Sequence, residues 1–321
     1  MQSPLHFTPL FQDYLWGGKR LYEQLSKEVP PPHQAAESWE IVDHAQGQSI
    51  VTTGEFTGQT LSELVQKYPA QLFGKGKNFA SFPLLFKILD AQKALSLQVH
   101  PNDEQARRQS PPDLGKTEAW YVLDAKPDSK IYAGLKEGAT PQSIRKAIDQ
   151  GELEEHLHQF TPKIGDCIFI PAGTCHAIGA GLLIAEIQQA SNTTFRLFDW
   201  NRRGPDGKPR PLHIDQGLAV LDFQKGPVNP QVPFFKQENR QRLVECDKFI
   251  FDRLDLTVPY TLANDEAFHL LYVAEGSLEI SDDQRKRPLQ KGETALLPAS
   301  QTDRTLTPVG SSALLLDVFL P

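Results

Sequence analysis

Residues 95–104 read LSLQVHPNDE, and Leu95, Leu97 and Val99 alternate there with Ser96, Gln98 and His100. A strand points successive side chains to opposite faces, so one face is aliphatic and the other carries a hydroxyl, an amide and an imidazole in a row. A half-buried strand facing water reads the same way. Facing a cavity, the polar row is half of a metal or substrate site. Further on, GDCIFIPAGTCH (165–176) sets Gly165, Pro171, Gly173 and His176 at the spacing G-x5-P-x-G-x2-H. Gly165-Asp166 turns the chain into a strand, Pro171 and Gly173 end it in a tight bend, and His176 re-enters the sheet pointing inward. Glu118, in GKTEAWYVL, precedes an apolar run in which an ionised group needs a partner.

The elements that must position these residues are mostly strands. Strand patterns run over 38–44, 49–56, 83–91, 95–100, 119–125, 129–135, 166–173 and 182–190, and again over 249–257, 269–280, 294–299 and 312–320. Helical patterns are fewer. In 60–74, Thr60 with Glu63 forms a capping box. In 140–160, Thr140 caps, Pro141 takes the first helical position, and two short helices are expected, broken near Gly151. The Pro-rich, polar stretch 223–240 reads as a linker between two β-rich units. Those units echo one another: in each, an aromatic-aliphatic strand precedes a turn, and a Gly-acidic pair opens a further strand that ends at a proline, a pattern of duplication.

The 321 residues carry a net charge of −7 with no Lys/Arg-rich run, which argues against a nucleic-acid partner. No stretch approaches the ~20 apolar residues of a membrane helix. The N-terminus lacks a basic start followed by an apolar core, and the three cysteines show no CxxC spacing and read as free thiols of a reducing cytoplasm.

The spacing around His176 resembles the second conserved motif of the cupins, a double-sheet jelly-roll class. The first cupin motif, usually H-x-H followed by a Glu, stands here as Gln98-Val99-His100 and then Glu118, with Gln replacing the first His. FPLLFKILDAQKALSLQVHPND, GKTEAWYVL, PAGTCHAIG and QQASNTTFRLFDWNR, in that order, resemble the type I mannose-6-phosphate isomerases in their short bacterial form, from Leu15-Trp16-Gly17 to the end of the chain. The resemblance implies an all-β fold of two cupin-type jelly-roll units with a small helical insertion in the first. A metal-binding unit would span 1–225, with helical insertions near 60–74 and 100–160, and a degenerate unit would span 240–321. It further implies one zinc ion per chain on Gln98, His100, Glu118 and His176, catalytic roles for Arg196 and Lys116, and phosphate contacts at Ser96 and Lys87. The activity implied is zinc-dependent interconversion of mannose 6-phosphate and fructose 6-phosphate, by a cytoplasmic monomer or weak homodimer whose partner is a phosphorylated hexose.

An amide oxygen, two imidazoles and a carboxylate suit Zn2+ and leave room for water or substrate. Two other readings compete. A cupin dioxygenase would favour an H-x-H pair on iron or copper, which Gln98 opposes. A sugar-binding cupin without catalysis would have lost ligands, and all four are here. Outside these motifs the bland interpretation holds. His6, His33, His44, His213 and His269 have no ligand setting, and His156 and His158 do not share a helix face. Cys175 points away from His176 on its strand and packs. Without the family likeness, Lys116 and Arg196 would read as solvated surface cations. The second unit carries only His269 and lacks the counterpart of His176, so its metal site is expected to be lost.

Overall fold

A computed structural model describes residues 1–204, 207–237 and 239–321. The fold is all-β, built on antiparallel sheets with short helices. One six-stranded sheet runs Leu10–Gln12, Glu37–Ile41, Leu84–Ala91, Leu182–Gln189, Glu118–Ala125, Cys167–Ile170. A five-stranded sheet runs Phe195–Phe198, Leu97–Val99, His176–Ile178, Ile131–Leu135, Leu157–Phe160. Leu89, Trp120, Val122 and Ile184 of the first sheet share one apolar cluster with Ile131, Ala133 and Ile178 of the second, so the two sheets pack face to face as a jelly roll.

The opposite face of the six-stranded sheet is also covered. Phe86, Ile88, Tyr121 and Ala185 join a cluster with Phe251, Leu270, Tyr272 and Val318 of an eight-stranded C-terminal sheet. Phe86 and Tyr272 meet ring to ring at 5.4 Å. This double coverage explains why all eight residues of Leu84–Ala91 and of Leu182–Gln189 are buried and why both strands read as nearly continuous apolar runs. The chain start also reaches the C-terminal sheet: Leu5 and Leu296 exchange both backbone hydrogen bonds, at 2.8 and 2.9 Å.

Local signals set several elements. Thr60 accepts from the Glu63 amide at 3.1 Å while Glu63 accepts from the Thr60 amide at 2.9 Å, closing the capping box ahead of the helix Leu61–Lys67. Pro69 opens the next helix, Pro69–Phe73. Elsewhere the patterns were overridden. The run 49–56 contributes only isolated bridges at Ile50 and Val51 before the chain turns. Within 140–160 one helix forms, Pro141–Gln150, ended by Gly151 at φ 73°. The expected second helix is a single 3-10 turn, Leu153–His156, followed by the strand Leu157–Phe160 on the edge of the five-stranded sheet. Within 100–160 helix is thus limited to short pieces between three strands. The linker contains a strand of its own, Phe234–Gln237, and a helix not foreseen, Ile214–Val220, packs beside Phe195–Phe198. No helix among the described residues is long and apolar enough to cross a membrane.

Candidate metal centre and sugar pocket

Strand register assembles the site. Gln98 lies opposite His176 on one side and Arg196 on the other, so three adjacent strands present these three residues in one row. Across the sandwich, Glu186 lies opposite Lys87 and Trp120, and Gln188 opposite Glu118. The polar face of LSLQVH therefore looks into the jelly roll, not to solvent.

His100, Glu118 and His176 converge there, all buried, with their ligating atoms within 4.8 Å of one another. His176 Nε2 is 3.2 Å from Glu118 Oε1, and His100 Nε2 is 3.7 Å from Oε2. Each imidazole donates its Nδ1–H to a backbone carbonyl, His100 to Thr193 and His176 to Thr174, both at 2.9 Å. A carbonyl can only accept, so the Nε2 lone pairs are left facing the shared point. Burial holds both rings neutral: His100 lies well below the ordinary histidine range, helped by Lys116 and His176, and His176 falls to about 4. Neither oxygen of buried Glu118 receives a hydrogen bond, although Lys116 Nζ stands 3.1 Å from Oε2. Gln98 Nε2 lies 3.4 Å from His176 Nε2, and a half-turn of the amide exchanges that nitrogen with Oε1. Two neutral imidazoles, an orphaned buried carboxylate and an adjacent amide form a donor set that fits a divalent metal ion.

The set borders a cavity of about 250 Å3 whose wall includes Lys87, Ser96, Gln98, Lys116, Glu118 and Arg196. All eight residues singled out from the sequence are thus brought together, His100 and His176 adjoining the cavity through Glu118 and Gln98. Lys116 Nζ also lies 3.3 Å from His100 Nε2. Ser96 donates to Gln98 Oε1 at 3.3 Å. Lys87 is buried between Glu37 and Glu186, 3.3 Å from each. Burial alone would lower its pKa, but Glu186, Glu37 and Glu118 outweigh burial and hold it raised.

The pocket also contains residues the sequence reasoning missed: Tyr14, Trp16, Glu37, Trp120, Glu186 and Arg210. Burial pushes Glu186 up to about 7, and its Oε1 receives no hydrogen bond, making it a carboxyl able to exchange a proton near neutrality. Its signal was available, since an acid inside the apolar run LLIAEIQQA needs a reason. Glu37 and Arg210 carried no comparable signal. Arg196 is half-buried. Its Nη1 donates to the Pro211 carbonyl at 2.9 Å and its buried Nε has no hydrogen-bond partner. Burial, then Arg210, lowers its pKa. Arg210 Nε donates to Asp199 at 2.7 Å, and Arg202 pairs with the same carboxylate, so two guanidiniums share one fixed acid at the pocket mouth and Arg196 stands beside them without a carboxylate of its own among the described residues. His213 braces Arg196, its Nδ1 accepting the Arg196 backbone amide at 3.2 Å. Cys175 lies in an apolar cluster away from the cavity.

A jelly roll with a buried His/Glu/His centre opening onto a polar cavity defines a cupin-class protein with a candidate metal site. The comparisons narrow the class. Residues 5–140 match the family model for the catalytic domain of type I phosphomannose isomerase, and 239–314 match the mannose-6-phosphate isomerase cupin domain. The chain is 37% identical to the mannose-6-phosphate isomerase ManA of Bacillus subtilis, over 92% of this chain and 93% of that one. It is 34% identical to the mannose-6-phosphate isomerase of Streptococcus mutans, over 93% of each. The crystal structure of the Bacillus subtilis mannose 6-phosphate isomerase superposes with a TM-score of 0.90 at 31% identity, covering 98% of this chain and 99% of that chain. The chain belongs to the type I phosphomannose isomerase family.

Proposed function

We propose that the chain interconverts mannose 6-phosphate and fructose 6-phosphate, using one zinc ion held by His100, Glu118, His176 and Gln98. The observation that carries this reading is the convergence of two neutral Nε2 atoms on an unsatisfied buried carboxylate at the edge of a sugar-sized cavity. The reaction moves a proton between C2 and C1 through an enediol. When bound, the ion supplies a Lewis acid for the oxygens on those carbons.

The chain's own side chains do the rest. Lys116, beside Glu118 and His100, donates to a substrate oxygen at the reacting end. Ser96 and Lys87, which the family likeness implies as phosphate contacts, are assigned here to sugar hydroxyls on the deep wall instead, because Lys87 is already charge-compensated by Glu37 and Glu186. The cationic excess of Arg196 and Arg210 over Asp199 takes the phosphate at the mouth, which gives Arg196 a binding role where the family likeness implies a catalytic one. In this reading the 1–225 unit is catalytic and the 240–321 unit supports the sheet that carries Lys87, Glu118 and Glu186.

The test is isomerase turnover and zinc content, with and without a chelator, in the native protein and in His100→Ala and His176→Ala. Each variant loses bound zinc and turnover while remaining folded, because removing one ligand opens the shell. Normal zinc in both variants would place the metal elsewhere.

A further inference from the structure

We infer that Asp113 is a positioning residue of the metal centre, acting through Thr193 on the His100 imidazole and on the pocket wall. The inference rests on reading His100 as a metal ligand. The Thr193 carbonyl accepts the His100 Nδ1–H at 2.9 Å, which fixes which nitrogen is free and how the ring is turned. Yet Thr193 belongs to 191–194, a segment outside any strand or helix, so its carbonyl needs something else to hold it.

Asp113 supplies that hold. Its Oδ2 accepts both the Ser191 hydroxyl at 2.8 Å and the Thr193 hydroxyl at 2.5 Å, while its Oδ1 accepts the Leu114 amide at 2.8 Å. Ser191 Oγ, almost wholly buried, accepts the Thr193 amide in turn at 3.2 Å. Hydrogen bonds to an ionised carboxylate are among the stronger ones, and two on one oxygen draw the segment onto the loop that leads to Lys116. The same segment places Asn192 and Thr194 on the cavity wall. One carboxylate outside the donor set thus ties together a ligand's orientation, the substrate wall and the approach to Lys116.

The test titrates metal-free native protein, Asp113→Ala, Thr193→Val and Thr193→Ser with Zn2+ against a chromophoric chelator. Co2+ absorption, melting temperature and KM are recorded alongside. Thr193→Val keeps the shape and the backbone carbonyl but removes the hydroxyl. It and Asp113→Ala weaken Zn2+ binding by roughly 10–100-fold, alter the Co2+ spectrum and raise KM, whereas Thr193→Ser stays close to native. Should Asp113→Ala fail to fold, the Thr193 pair decides alone. A Thr193→Val protein that binds Zn2+ as tightly as the native one with an unchanged Co2+ spectrum overturns the inference, even if it melts earlier. Native protein that binds no Zn2+ overturns instead the reading of His100 as a ligand.

Discussion

Arg196 shows how a surface-like residue becomes part of a site. In TTFRLFDW it alternates with apolar neighbours as any solvent-facing arginine does, but pairing with Leu97–Val99 turns it toward Gln98 and the cavity. Its side chain has one carbonyl partner and a buried nitrogen with none, and Arg202 and Arg210 already share Asp199. An anion with several oxygens satisfies such a group better than water does. Arg196→Ala is therefore expected to keep its metal and to raise KM for the phosphorylated sugar by more than it lowers kcat, and Arg196→Lys to recover part of the loss. Steady-state kinetics with metal analysis read this out. A fall in kcat at unchanged KM would move the guanidinium from the phosphate to the reacting carbons.

At the level of elements, the turn into Glu118–Ala125 decides where Lys116 sits. Gly115 donates to Asp103 at 2.9 Å, Lys116 donates to the Pro101 carbonyl at 3.0 Å, and Thr117 donates to Gln189 at 3.1 Å, so three consecutive amides are tied to the end of the neighbouring loop and strand. The approach is close enough that a Cβ on Gly115 would stand 2.5 Å from the Asp103 nitrogen and 2.7 Å from the Asn102 carbonyl carbon. Backbone cannot yield as a side-chain tip can. Gly115→Ala should cost about 1–3 kcal/mol of stability and displace Lys116, seen as a lower melting temperature together with reduced kcat at native metal content. Native values of both would show that the turn relaxes without moving the lysine.

For the molecule as a whole, the C-terminal unit is joined to the six-stranded sheet through one continuous core and keeps its own buried charges. His269, without evident purpose in the sequence, sits with Nδ1 2.8 Å from Asp317 and Nε2 3.3 Å from Asp265, and Arg240 binds Asp317 and Asp252. Burial pulls His269 down, but Asp317 and Asp265 prevail and raise it to about 9 from 6.5. A folded-state pKa above the unfolded one adds stability that is complete below about 6.5 and is lost as pH climbs through 9. The contribution is on the order of 3 kcal/mol. Urea unfolding between pH 6 and pH 9.5 should show the native protein losing roughly that much through this group, with His269→Gln giving a correspondingly flatter profile. Parallel pH profiles for the two proteins would mean the imidazole is not charged in the fold.

What the sequence determined by itself was local. Alternation in LSLQVH set which side chains share a face, Gly165 to His176 fixed a turn, a strand and a bend, and Thr60 with Glu63 started a helix, because periodicity and capping act over a few residues. Those short motifs carried Gln98, His100, Glu118 and His176, and the structure brings all four to one place. Tertiary structure decided which strands became neighbours, and with that everything that depends on long-range pairing. It placed Glu37, Glu186 and Arg210 in the cavity. It drew 157–160 onto the edge of Ile131–Leu135 where the local pattern read as helix, and left 49–56 with two bridges although it alternates like a strand. A side chain's direction within its own strand follows from sequence period, but what that side chain faces is set by backbone hydrogen bonds to residues far away in the chain.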